Sequence, residues 1–378
     1  MFIKQLKLVQ FRNYKTISVT FKKNINIIIG RNAQGKTSLV ESMYVLATTK
    51  SHRTSKDAEL ILFQEDFARI EAHVAGSQDN FELALFISKK GKKAVYNGVP
   101  QKKLSDYVGK LIVVMFAPED LSLVKGGPQY RRRFLDIEIG QVSPTYLYHL
   151  GLYSKLLKQR NELLKQLRAK RENELLLEVI TEQIVPHALY LANKRIEFLD
   201  QLQGFTKKIH REITNQKEDI SLAYVSSFKG VALTKEAILQ KYKDLYDQDI
   251  QIGSTSVGPH RDDFVVSING VNTHQFGSQG QQRTVSLAIK LAEIDLIYSI
   301  LGEYPVLLLD DVLSELDNNR QTQLLSTIKD RVQTFITTTN MDGIDEKMID
   351  LSHVFTIDNA EIRIGDNNDT RSIENTTI

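Results

Sequence analysis

Eight residues, Gly30-Arg31-Asn32-Ala33-Gln34-Gly35-Lys36-Thr37, constrain this chain more than any other stretch. They spell G-x-x-x-x-G-K-T. Before them runs Ile25-Asn26-Ile27-Ile28-Ile29, apolar enough for a buried central strand; after them Leu39, Met43 and Leu46 recur at helical spacing. Strand, glycine loop and helix in that order are the context the motif requires. The glycines let the backbone curl so that successive N–H groups face a phosphate, and the helix N-terminus adds positive partial charge. In such a loop Lys36 reaches the β- and γ-phosphates and Thr37 the Mg²⁺. The expectation is an α/β P-loop fold that takes ATP and Mg²⁺.

Two further segments fit that frame. Val306-Leu307-Leu308-Leu309-Asp310-Asp311 is an apolar strand ending in two carboxylates. On a strand neighbouring the P-loop strand, Asp310 would enter the metal shell and Asp311 would position or deprotonate an attacking water. Gly277-Ser278-Gln279-Gly280-Gln281-Gln282 precedes the apolar-periodic Val285, Leu287, Ala288, Leu291 and Ile294. Read alone, Ser278 is a helix N-cap whose backbone amides could hold a second anion.

The 378 residues suggest two or three domains. Residues 1–116 read as strands and turns around one helix, with Phe81, Leu83, Leu85 and Ile87 in strict alternation and a hairpin signal at Asn97-Gly98. From Pro144 to about Leu245 the pattern is helical, with Pro186 expected to kink or break the second helix. Strand character returns near Ser256, and Val306–Leu309 and Thr334–Thr337 are expected as strands. The expected division is 1–143 with 256–378 as one discontinuous ATPase lobe, and 144–255 as an inserted helical lobe with a short arm. Asn367–Ile378 is polar and expected to fray.

The absence of cysteine excludes disulfides, thiol catalysis and Cys-based metal sites. No apolar run in the sequence approaches membrane-helix length, and the start interleaves Lys and Arg with apolar residues, so no membrane association and a cytoplasmic location are expected. Residues 301–378 carry a net charge of −9 and residues 1–300 one of +12. Basic clusters such as Arg131-Arg132-Arg133 could grip phosphates or could be solvated helix faces. His260 with Asp262 and Asp263 could suggest a metal site, but a hydrogen-bonded turn fits it better.

Ser278–Gln281 resembles the signature motif of ABC-type ATPases, with Gln279 in place of the first glycine, and Ser314-Glu315-Leu316-Asp317 resembles that superfamily's D-loop. Further stretches narrow the resemblance: Phe11-Arg12-Asn13-Tyr14; Lys50-Ser51-His52-Arg53-Thr54; Phe116-Ala117-Pro118-Glu119-Asp120-Leu121 through to Leu135-Asp136; and Gly258-Pro259-His260-Arg261-Asp262-Asp263. Over nearly the whole chain it resembles the RecF family of bacterial recombination mediators. That resemblance implies an ABC-ATPase head related to SMC heads, with mixed sheets and an inserted helical lobe. It implies ATP bound by Gly30–Thr37, with Arg12 near the nucleotide, and Ser278, Gly280 and Gln281 completing the site of the opposite subunit. Lys36 and Asp311 would be the catalytic residues, Thr37 and Asp310 the metal ligands. The implied activity is a weak DNA-stimulated ATPase acting as a switch: ATP drives a homodimer onto single-stranded or gapped DNA, and slow hydrolysis resets it. The implied partners are RecO and RecR, which load recombinase, and the implied setting is replication and the SOS response. Two departures stand out. Asp311 replaces the superfamily's usual glutamate, and Thr337-Thr338-Thr339 stands where a switch histidine is expected; no Q-loop glutamine can be placed. The alternative reading is the nucleotide-binding subunit of another ABC-type system, such as a transporter. The separation of Lys36 and Ser278 by 242 positions weighs against it.

Overall fold

The computed structural model describes residues 1–378 except 23, 171–173, 314–319, 322–323, 325–327, 329–330, 342–343, 345–348, 350 and 366–378. The D-loop-like Ser314–Asp317 and the polar tail therefore lie outside the described residues. The chain forms two compact units, Met1–Asp120 with Ile289–Ile378, and Leu121–Ala288.

The first unit contains two six-stranded sheets. The first is formed by β1 (Phe2–Phe11), β2 (Tyr14–Thr20), β4 (Phe67–Ala75), β5 (Asn80–Ser88), β6 (Gly91–Tyr96) and β7 (Val99–Pro100), antiparallel throughout in the order β2-β1-β4-β5-β6-β7. Its strands alternate: Leu83, Leu85 and Ile87 are buried while Glu82 is exposed, as the sequence period predicts. Asn97 and Gly98 both take positive φ in the β6–β7 turn.

The second sheet is formed by β3 (Ile25–Ile29), β8 (Val113–Phe116), β12 (Val306–Asp310), β13 (Thr334–Thr338), β14 (Ser352–Asp358) and β15 (Glu361–Gly365), in the order β15-β14-β3-β13-β12-β8. All its pairs are parallel except β14–β15. Strands β8, β12 and β13 are buried at every residue, which explains the apolar runs of β8 and β12. One expectation is corrected here. The carboxylate strand β12 does not neighbour β3; β13 lies between them.

Helix α1 (Lys36–Thr48) lies between the sheets, and Leu39, Met43 and Leu46 join one core with Leu6, Leu8 and Leu85 of the antiparallel sheet and Ile28 and Phe335 of the other. Every residue from Leu39 to Thr48 is buried, so α1 has no polar face. That clamps the start of the helix, and the loop before it, in place.

The second unit is mostly helical: α2 (Ser122–Lys125), α3 (Pro128–Val142), α4 (Pro144–Ala169), α5 (Glu174–Ile213), α6 (Lys235–Asp244), α7 (Tyr246–Ile252), α8 (Thr273–Phe276) and the first half of α9 (Gln279–Leu301). It also holds a three-stranded antiparallel sheet, β9 (Ile220–Val225), β10 (Asp263–Ile268) and β11 (Val271–Asn272), in the order β11-β10-β9. Strand β9 falls within the stretch expected to be helical. It is six residues long with Ile220 and Leu222 inward, a period-two pattern too short to stand out among Leu- and Lys-rich helices. Pro186 lies inside α5 and does not break it; the residue is exposed, so water can satisfy the carbonyl that loses its N–H partner.

By length and composition α5 is apolar enough to cross a membrane, contrary to the sequence expectation. Its buried positions Ile184, Ala188, Leu191 and Arg195 recur at helical spacing, and it packs on α3, α4, α6 and β9 along that face. The unit boundaries also differ from the expected ones. Segments 121–143 and 256–288 belong to the second unit, because α3 packs on α4, α5 and β10, and β10 pairs with β9.

Candidate functional site

The P-loop leaves β3 at Ile29 and enters α1 at Lys36. Gly35 caps the helix at φ 117°, a region open to glycine, and a Cβ there would also meet the Tyr14 hydroxyl at 2.8 Å. At Gly30 a Cβ would collide with the carbonyl oxygen of Ile357. Ala33 holds φ 66°. The loop is tied from outside: the Tyr14 hydroxyl donates to Gly35 O at 2.9 Å, Asn13 Nδ2 to Gln34 O at 3.3 Å, and the Ala360 and Asn359 amides to the backbone and side-chain oxygens of Gln34 at 3.1 and 2.5 Å.

Lys36 is buried, and its Nζ donates to Gly30 O at 2.6 Å and Arg31 O at 2.9 Å. Burial pushes its ammonium below the ordinary value; the Asp311 and Asp310 carboxylates oppose that shift. Beside the loop lies an open cavity of about 970 Å³ lined by Asn32, Ala33, Lys36, Thr37, Arg12, Asp311 and Thr337.

Thr37 Oγ1 donates to Asp310 Oδ1 at 3.0 Å, and Thr337 Oγ1 donates to the same oxygen at 2.7 Å. Thus β13, the intervening strand, supplies the bridge between P-loop and carboxylate strand. Burial raises the Asp310 pKa against these two hydrogen bonds. A buried carboxylate of raised pKa beside a hydroxyl favours an added cation. Asp311 has φ 52°, strained for a non-glycine residue, and its amide donates to Thr337 Oγ1 at 2.9 Å. That turn sets Asp311 on the cavity wall, while Asp310 stays inside.

Arg12 sits in the two-residue turn between β1 and β2 at φ 54°. Its guanidinium grips Glu41 of α1 with bonds of 2.8 and 2.7 Å and donates to Glu59 O at 2.7 Å. Three charge-assisted bonds offset the roughly 1–2 kcal/mol cost of the left-handed backbone. Glu41 is fully buried and also accepts from Ser51 Oγ at 2.5 Å. Glu41 had no sequence signal of its own, and Thr337 was marked only as a departure from an expected histidine; adjacency in the fold reveals both contacts.

Ser278, Gly280 and Gln281 lie in the second unit, at the start of α9. Gln281 N donates to Ser278 Oγ at 3.2 Å and Ser278 N to Gln281 Oε1 at 2.9 Å, a reciprocal capping box. Gln281 Nε2 also donates to Glu218 Oε1 at 2.8 Å, and Gly280 O accepts from Thr284 Oγ1 at 2.8 Å. His260 is a hydrogen-bonded turn residue: Nδ1 meets the Tyr153 hydroxyl at 2.6 Å and Nε2 meets Thr255 O at 3.1 Å. No cluster of three or more His, Cys, Asp or Glu suited to a metal occurs among the described residues.

The family model described as the RecF/RecN/SMC N-terminal domain matches residues 2–363. The DNA replication and repair protein RecF of Shouchella clausii is 49% identical over 369 residues, covering 96% of this chain and 99% of that one. The chain belongs to the RecF family. The RecF of a Geobacillus species is 50% identical over 368 residues, covering 96% of this chain and 98% of that one. A solved structure of the recombination mediator RecF with ATP, from the RecFOR pathway, superposes with a TM-score of 0.89 at 32% identity, over 97% of this chain and 98% of that one. An Smc head domain from Pyrococcus furiosus superposes with a TM-score of 0.53 at 16% identity, covering 96% of each chain, a likeness of fold alone. The RecF fold is thus an ABC-ATPase head: mixed sheets and a helical region.

Proposed function

We propose that this RecF-family chain is an ATP-driven switch of recombinational DNA repair and replication. The observation that carries the reading is Thr37 and Asp310 meeting at 3.0 Å beside Lys36, at the mouth of a glycine loop. ATP would lie along Gly30–Thr37, with Lys36 leaving its two carbonyls for the β- and γ-phosphates. The oxygens of Thr37 and Asp310 suit Mg²⁺, which takes few protein ligands and completes its shell with phosphate and water; when bound, it neutralises charge on the phosphates. Asp311 would orient the attacking water from the cavity wall. Arg12, held by Glu41, would flank the nucleotide. The relative solved with ATP supports this reading.

Ser278, Gly280 and Gln281 would close on the nucleotide of a second copy, so that ATP drives a homodimer. That dimer would hold single-stranded or gapped duplex DNA in the cytoplasm. It would act with RecO and RecR to load recombinase and support SOS induction, and weak, DNA-stimulated hydrolysis would release it. Sedimentation and DNA binding, each with and without ATP and Mg²⁺, test the reading. Nucleotide-dependent dimers that bind DNA are expected; a monomer whose DNA affinity ignores ATP would sink it.

A further inference from the structure

The run Arg131-Arg132-Arg133 divides in the structure. Arg131 is buried; it grips Asp263 with bonds of 2.7 and 2.9 Å and donates to Leu123 O at 3.3 Å and Gly126 O at 2.8 Å. It is a structural cation. Arg132 is only half-buried, and Nη1 donates to Asp262 O at 2.9 Å. The next-door Arg261 is exposed, and Nε and Nη2 donate to Thr255 O at 3.3 Å each. Both anchors are neutral carbonyls, and among the described residues neither guanidinium is held in an ion pair with a carboxylate, although Asp263 and Asp136 lie close enough to favour the Arg132 charge. The nearby carboxylates are bonded elsewhere: Asp263 to Arg131, Asp136 to Arg195 at 2.8 Å, and Asp262 to the Tyr224 hydroxyl and to Ser227 N at 2.6 Å.

The loop that carries these anchors, 255–262, is rigid. Gly258 has φ 128°, and a Cβ there would strike the Tyr153 hydroxyl and lie 2.8 Å from that of Tyr242. Ser227 Oγ accepts from Gly258 N at 2.7 Å. Thr255 O can only accept, so His260 Nε2 carries the proton and Nδ1 accepts from Tyr153. Burial holds the His260 pKa at about 4, so the imidazole is neutral near pH 7 and the charge here belongs to the arginines. Arg132 is pushed below its ordinary value by burial; Asp263 and Asp136 oppose this, while the Arg195 and Arg261 cations add to it. An oxyanion received by the two guanidiniums would relieve that crowding.

We propose that Arg132 and Arg261 form a phosphodiester-binding site in the second unit, taking the DNA backbone through two guanidiniums anchored to one rigid loop. The proposal rests on the DNA-binding reading above and names residues for it. Phosphate contacts position a protein on DNA without reading sequence, so the site should be indifferent to base composition.

The test is the affinity of the full chain, with ATP and Mg²⁺, for a gapped duplex over a salt series. Arg132→Gln and Arg261→Gln should each weaken binding to every sequence alike, and each lost contact should make the log–log salt slope shallower by about one. Arg261→Lys, which keeps the charge, should keep the slope. Unchanged affinity and slope in both Gln variants overturn the proposal, and so does lost affinity with an unchanged slope. Thermal melting checks the fold; should Arg132→Gln melt early, the exposed Arg261→Gln decides alone. Wild-type protein that binds no DNA overturns the DNA reading itself, an outcome distinct from variants that bind like wild type.

Discussion

Thr37 and Asp310, 273 residues apart in the chain, meet through a 3.0 Å hydrogen bond, and Thr337 on the strand between them donates to the same carboxylate oxygen. The pair is held by three elements at once: the start of α1, the end of β12 and the end of β13. None of the three can move without opening the site.

Lys36→Ala should abolish ATP binding. The ammonium is the mobile cation of the loop, and its two carbonyl partners, Gly30 O and Arg31 O, cannot replace it. Nucleotide titration by calorimetry decides this; unchanged affinity would remove the P-loop assignment.

Asp311→Asn should bind ATP nearly as well as wild type and hydrolyse it about a hundredfold more slowly, the lower side of what a positioned base contributes. Its backbone bond to Thr337 does not involve the carboxylate, so the turn should persist. The nucleotide-bound dimer should accumulate. Single-turnover hydrolysis at the wild-type rate would show that Asp311 does not act on the water.

Ser278→Arg should leave ATP binding by the monomer intact, because Ser278 and the P-loop belong to different compact units. A bulky cation at the start of α9 should block the closing of two copies, and an isologous pair uses the motif twice. Sedimentation with ATP and Mg²⁺ should therefore show monomers. A dimer as strong as wild type would reduce Ser278 to a helix cap.

Glu41→Gln should cost about 2 kcal/mol, the size of lost hydrogen bonds to a buried charge. Burial acts to raise the Glu41 pKa, but the bonds from Arg12 and Ser51 outweigh it, and the carboxyl titrates below its ordinary 4.5. A depressed carboxylate pKa gives stability that is fully present above the unfolded value and lost as the pH falls through the folded one. Denaturation curves of wild type and variant should thus differ at neutral pH and converge only as the pH falls through the depressed Glu41 pKa, below its ordinary 4.5. A constant gap across that range would contradict the ion-pair account.

Much of the site was legible in the sequence because phosphate loops need glycine where φ is positive, a lysine within reach and an apolar strand behind. Gly30–Thr37 and Asp310 announce themselves in that way. Glu41 does not, since a glutamate in a helix has no local pattern that sets it apart, and the contacts of Thr337 and Tyr14 with the loop and carboxylate follow from no spacing in the chain. Arg131 shows the opposite failure: three arginines in a row look alike, yet one is spent on Asp263 inside the fold.

The sequence alone determined the P-loop unit, the apolar strands around it and the family, because these depend on residue type at short spacing. The tertiary structure alone decided which strand lies beside which, that 121–143 and 256–288 join the helical unit, and that β9 is a strand. It also decided which arginine is locked into a buried ion pair and which rest on backbone carbonyls. Those outcomes depend on partners far away in the chain: a six-residue strand is fixed by the neighbour that completes its hydrogen bonds, and a charge by the carboxylate that reaches it.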